Sequence, residues 1–391
     1  MGNFDKVIDR TNTNSTKWDA VDKLYNGKDL WPMWVADMDF RAPEAVLEAI
    51  QEKVEHGILG YTVRPESLDQ AVVNWFKTEY GWTVDPKALQ YTAGVVPTIT
   101  QLIQAFTDED DKIIIQTPVY YPFYSVVTNV NRRLVKNPLQ FDGKQYRFDF
   151  DHLEASIDEH TKMLILCNPH NPAGRVWSKE ELQRLAEICK KHDLLVISDE
   201  IHADLMLNGH HHVPFASLSS DTANRTITCL APSKTFNLAG IQSSITVIEN
   251  EQYYKKFAKH LQNQFLFMPN LFASVATEAA YRHGKPWLTE LRAYLEDNLR
   301  YVINFVGEHM PKIKVVEPEG TYLVWLDCSE LGMTAAERRK WLEDKAKVAL
   351  SHGSTFGEEG KDFERMNIAC PRQTLTEGLE RLKRAYQEQE F

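Results

Sequence analysis

Residues 229–240 read CLAPSKTFNLAG and set a single lysine, Lys234, directly after an apolar run. A lone lysine is ordinarily solvated surface, so its neighbours in the sequence decide what it can do. The run LILC (164–167) opens into NPHNPAG and leaves Asn168 at its carboxyl end. LLVIS (194–198) opens into DEIH, with Asp199 and His202, and TITCL (226–230) opens into APSK, with Ser233 and Lys234. If these runs are strands of one sheet, an amide, a carboxylate, an imidazole and an amine converge on one edge, and in open α/β sheets ligands bind at that carboxyl edge. Taken singly, each has a plainer reading: Asn168 before Pro169 as a turn residue, Asp199 as a solvated loop acid, His202 as a structural histidine. Their coincidence on adjacent runs is what carries weight. A fourth piece, YTAGVVPTITQLIQAF (91–106), leads through Gly94 into a helical pattern with Ile99, Leu102, Ile103 and Phe106 on one face and Pro97 in the first turn. A small residue entering a helix N-terminus offers an anion unsatisfied N–H groups and the positive end of the helix dipole.

The elements that must position these groups follow from periodicity. KIIIQTP, KMLILCNP, DLLVISDE and TITCLAPSK contain continuous short apolar runs, the pattern of strands buried on both faces of a parallel sheet. Between the second and third lies a helix: Ser178 reads as its N-cap with Glu181 completing a capping box, and Leu182, Leu185, Ala186 and Cys189 share one face. Strand, helix, strand at this spacing predicts a right-handed βαβ crossover. The last hundred residues differ. KPWLTELRAYLEDNLRYVINFVGEH is a long helical pattern after the Gly284–Pro286 break, TYLVWLD a strand, AAERRKWLEDKAKVAL a helix and RMNIAC a strand. The first 45 or so residues have no sheet rhythm and are expected to pack beside this smaller α+β part.

Bulk properties narrow the function classes. The chain has 391 residues and a formal net charge of −11, which disfavours a phosphate-backbone partner. The five cysteines (167, 189, 229, 328 and 370) are scattered and form no C-x-x-C pair, as expected of reduced thiols in a cytoplasmic protein. The first residues, MGNFDKVIDRTN, are charged and show no signal-peptide core, and no apolar run approaches the roughly 20 residues of a membrane helix. His210–His212 in GHHHVPF cannot all face one metal from a regular element and read as a surface loop. GSTFGEEGKD lacks the first glycine and the final Ser/Thr of a phosphate-binding P-loop.

An amine, a carboxylate, donors and an anion seat fit the needs of pyridoxal 5′-phosphate (PLP): a lysine for its aldehyde, an acid for its pyridinium nitrogen, donors for its phenolic oxygen and a seat for its phosphate. At this point the sequence resembles a known family. The ordered motifs Gly-turn, NPHNPAG, SDEIH, SKTFNLAG and FERMNIACPR resemble the fold-type I PLP enzymes of the class I/II aminotransferase superfamily, and WVADMDF with APSKTFNLAGIQ resembles the MalY/PatB-type cystathionine β-lyases. The resemblance implies the type I transferase fold: a large α/β domain over residues 49–286 with a mostly parallel seven-stranded sheet flanked by helices, and a smaller α+β domain from 1–48 and 287–391. It implies that Lys234 carries the cofactor and moves the Cα proton, that Asp199 faces the pyridine nitrogen, and that Asn168 and His202 address the phenolic oxygen. Ser233 and the backbone N–H groups of Gly94, Val95 and Val96 would hold the phosphate. Tyr120 in TPVYYPF would stack on the ring, with Tyr121 an open alternative. Arg372 would pair with the substrate carboxylate, helped by the backbone around Ala36, and Tyr61 would reach the phosphate of a neighbouring subunit in a homodimer with shared sites.

Two departures qualify the resemblance. Many aminotransferases carry tyrosine three residues after the aspartate, where this chain has His202, and arginine eight residues after the lysine, where it has Gln242. Both favour α,β-elimination from cystathionine or another cysteine S-conjugate, giving a thiol, pyruvate and ammonia. The alternatives are transamination, which shares every cofactor residue, and a lyase-fold protein whose role is to bind a regulatory protein partner. The side-chain preference of the substrate is not readable, because the pocket beyond Cβ is built from loops.

Overall fold

The computed structural model describes residues 3–25 and 27–389. Its centre is a seven-stranded sheet with strands β1 (Leu89–Thr92), β2 (Lys112–Thr117), β3 (Arg133–Pro138), β4 (Thr161–Cys167), β5 (Leu195–Asp199), β6 (Thr226–Leu230) and β7 (Ser244–Val247). Their order across the sheet is β1-β7-β6-β5-β4-β2-β3. β7 alone runs antiparallel to its neighbours β1 and β6, and the remaining pairs are parallel. The four apolar runs read from the sequence are β2, β4, β5 and β6. The short β1 and β7 and the half-polar edge strand β3 carried no comparable apolar run.

Both faces of this sheet are covered, as a parallel sheet requires. On one face Ile114, Leu164, Leu166 and Val196 pack against Leu182, Leu185 and Cys189 of the helix Lys179–Lys191. The capping box forms there as the spacing predicts: Ser178 Oγ accepts the Glu181 N–H, and the Glu181 carboxylate accepts the Ser178 N–H. On the other face Ile113, Ile115, Ile165, Ile197 and Ile227 meet Ile99, Leu102 and Ile103 of the helix Val95–Phe106. Alternate residues of each strand therefore feed opposite layers, and each strand end is fixed in height by side chains above and below it.

A second sheet, of four antiparallel strands, is built from β8 (Lys314–Val316), β9 (Leu323–Asp327), β10 (Ser351–His352) and β11 (Phe363–Asn367), in the order β8-β9-β11-β10. The helix Lys285–His309 leads into it. One continuous apolar cluster runs from Trp75 and Phe76 through Leu291 and Leu295 to Leu323 and Leu375, so the two sheets share core. In the amino-terminal stretch Trp31–Pro32 pairs in parallel with Val348–Ala349, and the Asp39 N–H donates to the Ala369 carbonyl. The helices Glu44–His56 and Lys285–His309 run across the expected division points at 48/49 and 286/287.

One sequence expectation needs correction. AAERRKWLEDKAKVAL is not one helix: Ala335–Trp341 is helical, Leu342–Ala346 widens into a π turn, and Lys347 takes a left-handed conformation (φ 54°). Lys347 reverses the chain so that Val348–Ala349 can pair with Trp31–Pro32, and that pairing outweighs helix propensity in a short segment. Among the described residues no helix is long and apolar enough to cross a membrane.

Candidate active site

Strand ends and helix starts meet at a cavity of about 200 Å³ lined by Ala36, Gly94, Val95, Val96, Tyr120, Asn171, Asp199, His202, Ser233, Lys234 and Gln242, among others. β4, β5 and β6 deliver their carboxyl ends to it, as the sequence predicts. β7 runs the other way, so the residues that precede it, Gln242 and Ser243, arrive at the same edge.

Lys234 lies in the one-turn helix Pro232–Thr235 directly after β6. Its Nζ donates to the Ala36 carbonyl at 2.7 Å. Burial disfavours its charged form and Arg365 nearby adds to the effect, so its pKa falls to about 8 despite the opposing pull of Asp37 and Asp199. Asp199 ends β5, accepts the Ile201 N–H at 3.1 Å, and is raised to about 7 by burial, with Glu200 adding to the rise. His202 is buried with Nδ1 unpartnered, and burial pushes it down to about 3, so the ring is neutral. An amine that sheds its proton near neutrality and a carboxyl that keeps one unusually long are the pair expected of a proton-handling site.

The anion end is the start of the helix Val95–Phe106. Gly94 holds φ at 146°, a conformation open to glycine alone without strain. Its own N–H donates to Ser244 Oγ at 3.2 Å, so the N–H groups of Val95 and Val96 are the ones left at the cavity both residues line. Gln242 stands on the same wall and contributes no charge. Tyr120 lines the cavity, and the ring of Tyr121, 55% exposed, stands 5.2 Å from it. The loop 353–361 closes on this side: the Phe356 carbonyl accepts the Val119 N–H at 2.9 Å and the Tyr124 hydroxyl at 2.7 Å.

Besides the Gly94 N–H, which bonds Ser244 and is not free for a phosphate, the placement departs from the sequence expectation at Asn168, Arg372 and His212. Asn168 does not line the cavity; its Nδ2 donates to the Val213 carbonyl and its Oδ1 accepts the Trp177 N–H, which makes it a turn residue. The amide at the cavity is Asn171, whose Oδ1 accepts from Arg365 Nη1 at 2.9 Å. Arg372 begins the helix Arg372–Glu388, where its Nε donates to Asn298 Oδ1 and its guanidinium lies 4.5 Å from the Tyr301 ring centre, away from the cavity. The arginine beside Lys234, Tyr120 and His202 is Arg365 of β11, fully buried with Nε unpartnered. A charged residue inside the apolar strand FERMNIAC was the available signal, since a chain buries an unpaired guanidinium only where something repays it. Tyr61 stands 98% exposed, away from the cavity of its own chain. Of the three adjacent histidines, His212 is no surface residue: it is buried, with Nε2 2.7 Å from Glu200 Oε2. Among the described residues no group of three or more His, Cys, Asp or Glu could hold a metal.

Lys234 has a directly measurable signature. In protein freed of bound small molecules, trace acetylation followed by peptide mass spectrometry should give Lys234 an apparent pKa near 8, while exposed lysines titrate near about 10.4. A value in the ordinary lysine range would show that the amine is wet and that the cavity is not closed over it.

Comparison with known proteins finds relatives over the whole length of the chain. A cystathionine β-lyase, PatB of Bacillus subtilis, is 46% identical over 384 residues, covering 98% of this chain and 99% of its own. The crystal structure of cystalysin from Treponema denticola, which contains a pyridoxal 5′-phosphate cofactor, superposes with a TM-score of 0.96 at 36% identity and covers all of both chains. A PLP-bound C-S lyase from Staphylococcus hominis gives a TM-score of 0.92 at 37% identity, covering 98% of each chain. Residues 33–382 match the aminotransferase class I and II family, to which this chain belongs.

Proposed function

We propose that this protein is a PLP-dependent carbon–sulfur β-lyase that cleaves cystathionine or a related cysteine S-conjugate into a thiol, pyruvate and ammonia. The carrying observation is the juxtaposition of the Lys234 amine, depressed to about 8, with buried Asp199 and the helix start at Val95–Val96 in one cavity. The residues fit the cofactor: an amine for an aldehyde, an acid for a ring nitrogen, the unpartnered Nδ1 of neutral His202 and the Asn171 amide for a phenolic oxygen, and N–H groups with Ser233 for a phosphate. When bound, PLP supplies the electron-withdrawing ring that makes the substrate Cα–H acidic.

The chain's own residues then have distinct tasks. Arg365 takes the substrate α-carboxylate through its planar fork, with the backbone around Ala36 beside it. Tyr120 covers the ring face. Lys234 Nζ, its pKa lowered by burial so that free amine is present near neutral pH, takes the Cα proton. The Cβ–S bond breaks, the sulfur leaves as a thiolate that is protonated by solvent, and the three-carbon remainder hydrolyses to pyruvate and ammonia. His202 and Gln242, both on the cavity wall, stand where many aminotransferases place tyrosine and arginine, and this favours elimination over transamination. The C–S lyase activity of the named relatives supports the same reading. The five buried, unpaired cysteines support a cytoplasmic location.

A homodimer completes the proposal. The segment Ile58–Val63 exposes Ile58 (73%), Leu59 (59%), Tyr61 (98%) and Val63 (81%), large apolar side chains that a partner subunit would cover. A second cavity of about 290 Å³, lined by Leu68, Tyr91, Leu261 and Phe265, adjoins the first at Pro97, Gln242 and Ser243. It offers the partner's Tyr61 a route to the phosphate end.

Lys234→Ala should lose both the absorbance of bound cofactor and pyruvate release from cystathionine; undiminished pyruvate would sink the mechanism, and glutamate formed from 2-oxoglutarate without pyruvate would favour an aminotransferase. Arg365→Lys should raise KM for the amino acid on the order of tenfold, because a point charge replaces a bidentate fork, whereas Arg372→Lys should leave KM within about twofold; the reverse pattern would restore Arg372 as the carboxylate ligand. Copies carrying Tyr61→Ala mixed with copies carrying Lys234→Ala should regain activity above either parent, since each hybrid dimer has one intact site. No regain, or a monomer by light scattering, would rule out sites shared between subunits.

A further inference from the structure

The stretch Trp34–Phe40 crosses the cavity with almost no regular structure, yet nearly every carbonyl in it is held by a side chain. Trp34 O accepts from Ser351 Oγ (2.9 Å) and Arg365 Nη2 (3.0 Å). Val35 O and Asp37 O both accept from Asn367 Nδ2 (2.6 Å each). Ala36 O accepts from Lys234 Nζ (2.7 Å) and the Tyr322 hydroxyl (2.9 Å). Met38 O and Phe40 O both accept from Asn237 Nδ2 (2.9 Å each), and the Met38 N–H donates to Asn237 Oδ1 (2.9 Å). The far end is anchored by Asp39, whose buried carboxylate takes Lys17 Nζ (2.6 Å), Arg10 Nη1 (2.7 Å) and Trp18 Nε1 (2.9 Å).

Asn237 differs from the other holders. It sits three residues after Lys234 in the same turn, at a left-handed φ of 58°, so it ties the roof to the segment that bears the amine. Lys234 to Ala36 and Asn237 to Met38 are two rungs of one connection, and slippage at the second changes the first. We propose that Asn237 is a positioning residue: it holds the strap Trp34–Phe40 in register over Lys234, so that the Ala36 carbonyl caps the amine and water stays out. This deepens the reading of Lys234 as the reactive amine, but its test needs no substrate.

The variant of choice is Asn237→Gly, because glycine accepts the left-handed turn without strain and only the side chain is lost. Asn237→Asp is the second: it retains the acceptor for the Met38 N–H and loses both donations. Besides the strap, which itself carries Asp37, the groups around the amine are Asp199, Arg365 and His202, Tyr120 on the cavity wall and Tyr322, whose hydroxyl shares the Ala36 carbonyl, and neither variant removes any of them. Burial is the largest influence on Lys234. Opening the roof should therefore raise its apparent pKa from near 8 toward the ordinary lysine value by about half a unit or more in Asn237→Gly, the deciding variant, read by trace acetylation of cofactor-stripped protein; Asn237→Asp should shift it further the same way, because its added carboxylate also attracts the ammonium. Loss of the Ala36 acceptor acts oppositely, and a single carbonyl hydrogen bond is the smaller effect. In the loaded enzyme kcat should fall on the order of tenfold, with KM changed less than about threefold. An unshifted or lowered Lys234 titration overturns the proposal, even if the melting temperature drops, because a purely structural asparagine would move stability alone. Failure of the lyase reading itself would show instead as absent pyruvate release in the unaltered protein, with the Lys234 shift still present.

Discussion

An amine kept out of water is the constraint around which this molecule is arranged. A lysine in solvent is charged at any physiological pH and is no base. The structure takes that charge's hydration away and returns one carbonyl, Ala36 O, at 2.7 Å, and the balance falls near neutrality. Every wall of the cavity contributes to that exclusion. The parallel strands close it from below, the helix start at Val95 closes one side, Tyr120 another, and Ala36 of the strap Trp34–Phe40 lies on top.

The topology explains how groups so distant in sequence reach one spot. Parallel strands release the chain at a common edge, so β4, β5 and β6 deliver Asn171, Asp199 and Lys234 within a few residues of their ends. One reversed strand, β7, lets the chain approach that edge from outside and supplies Gln242 and Ser243. The antiparallel second sheet brings Arg365 in from the opposite side, and Asn171 grips its Nη1. The two sheets are thus joined across the cavity by a hydrogen bond between an amide and a guanidinium, which ties their relative placement to the electrostatics around Lys234.

Much of this was legible in the sequence, and the failures have physical causes. Lys234, Asp199, His202 and Ser233 follow continuous apolar runs, and a strand buried on both faces fixes where its end must lie. Asn168 and Asn171 could not be separated that way: both follow β4, and only the path of the NPHNPAG turn decides that the first bonds Val213 and Trp177 while the second lines the cavity. Arg365 was passed over for Arg372 because neighbouring residues of a strand face opposite ways. Glu364 turns toward Arg338 and His352, and Arg365 toward Asn171 and Trp34; the pairing partners that settle this lie in other elements. The segment 335–350 misled by propensity, since what breaks its helix is a two-residue pairing more than three hundred residues away in sequence.

Cys167, the last residue of β4, is part of the cavity wall. Burial first, and then the negative charge of Asp199, push its thiol well above the ordinary range, and the other four cysteines are buried as well. A catalyst that liberates thiols works among the disulfides those thiols form when air oxidises them, and such disulfides exchange with an accessible protein thiolate. With its five cysteines buried and the Cys167 thiol held protonated, this chain offers that exchange little thiolate to engage.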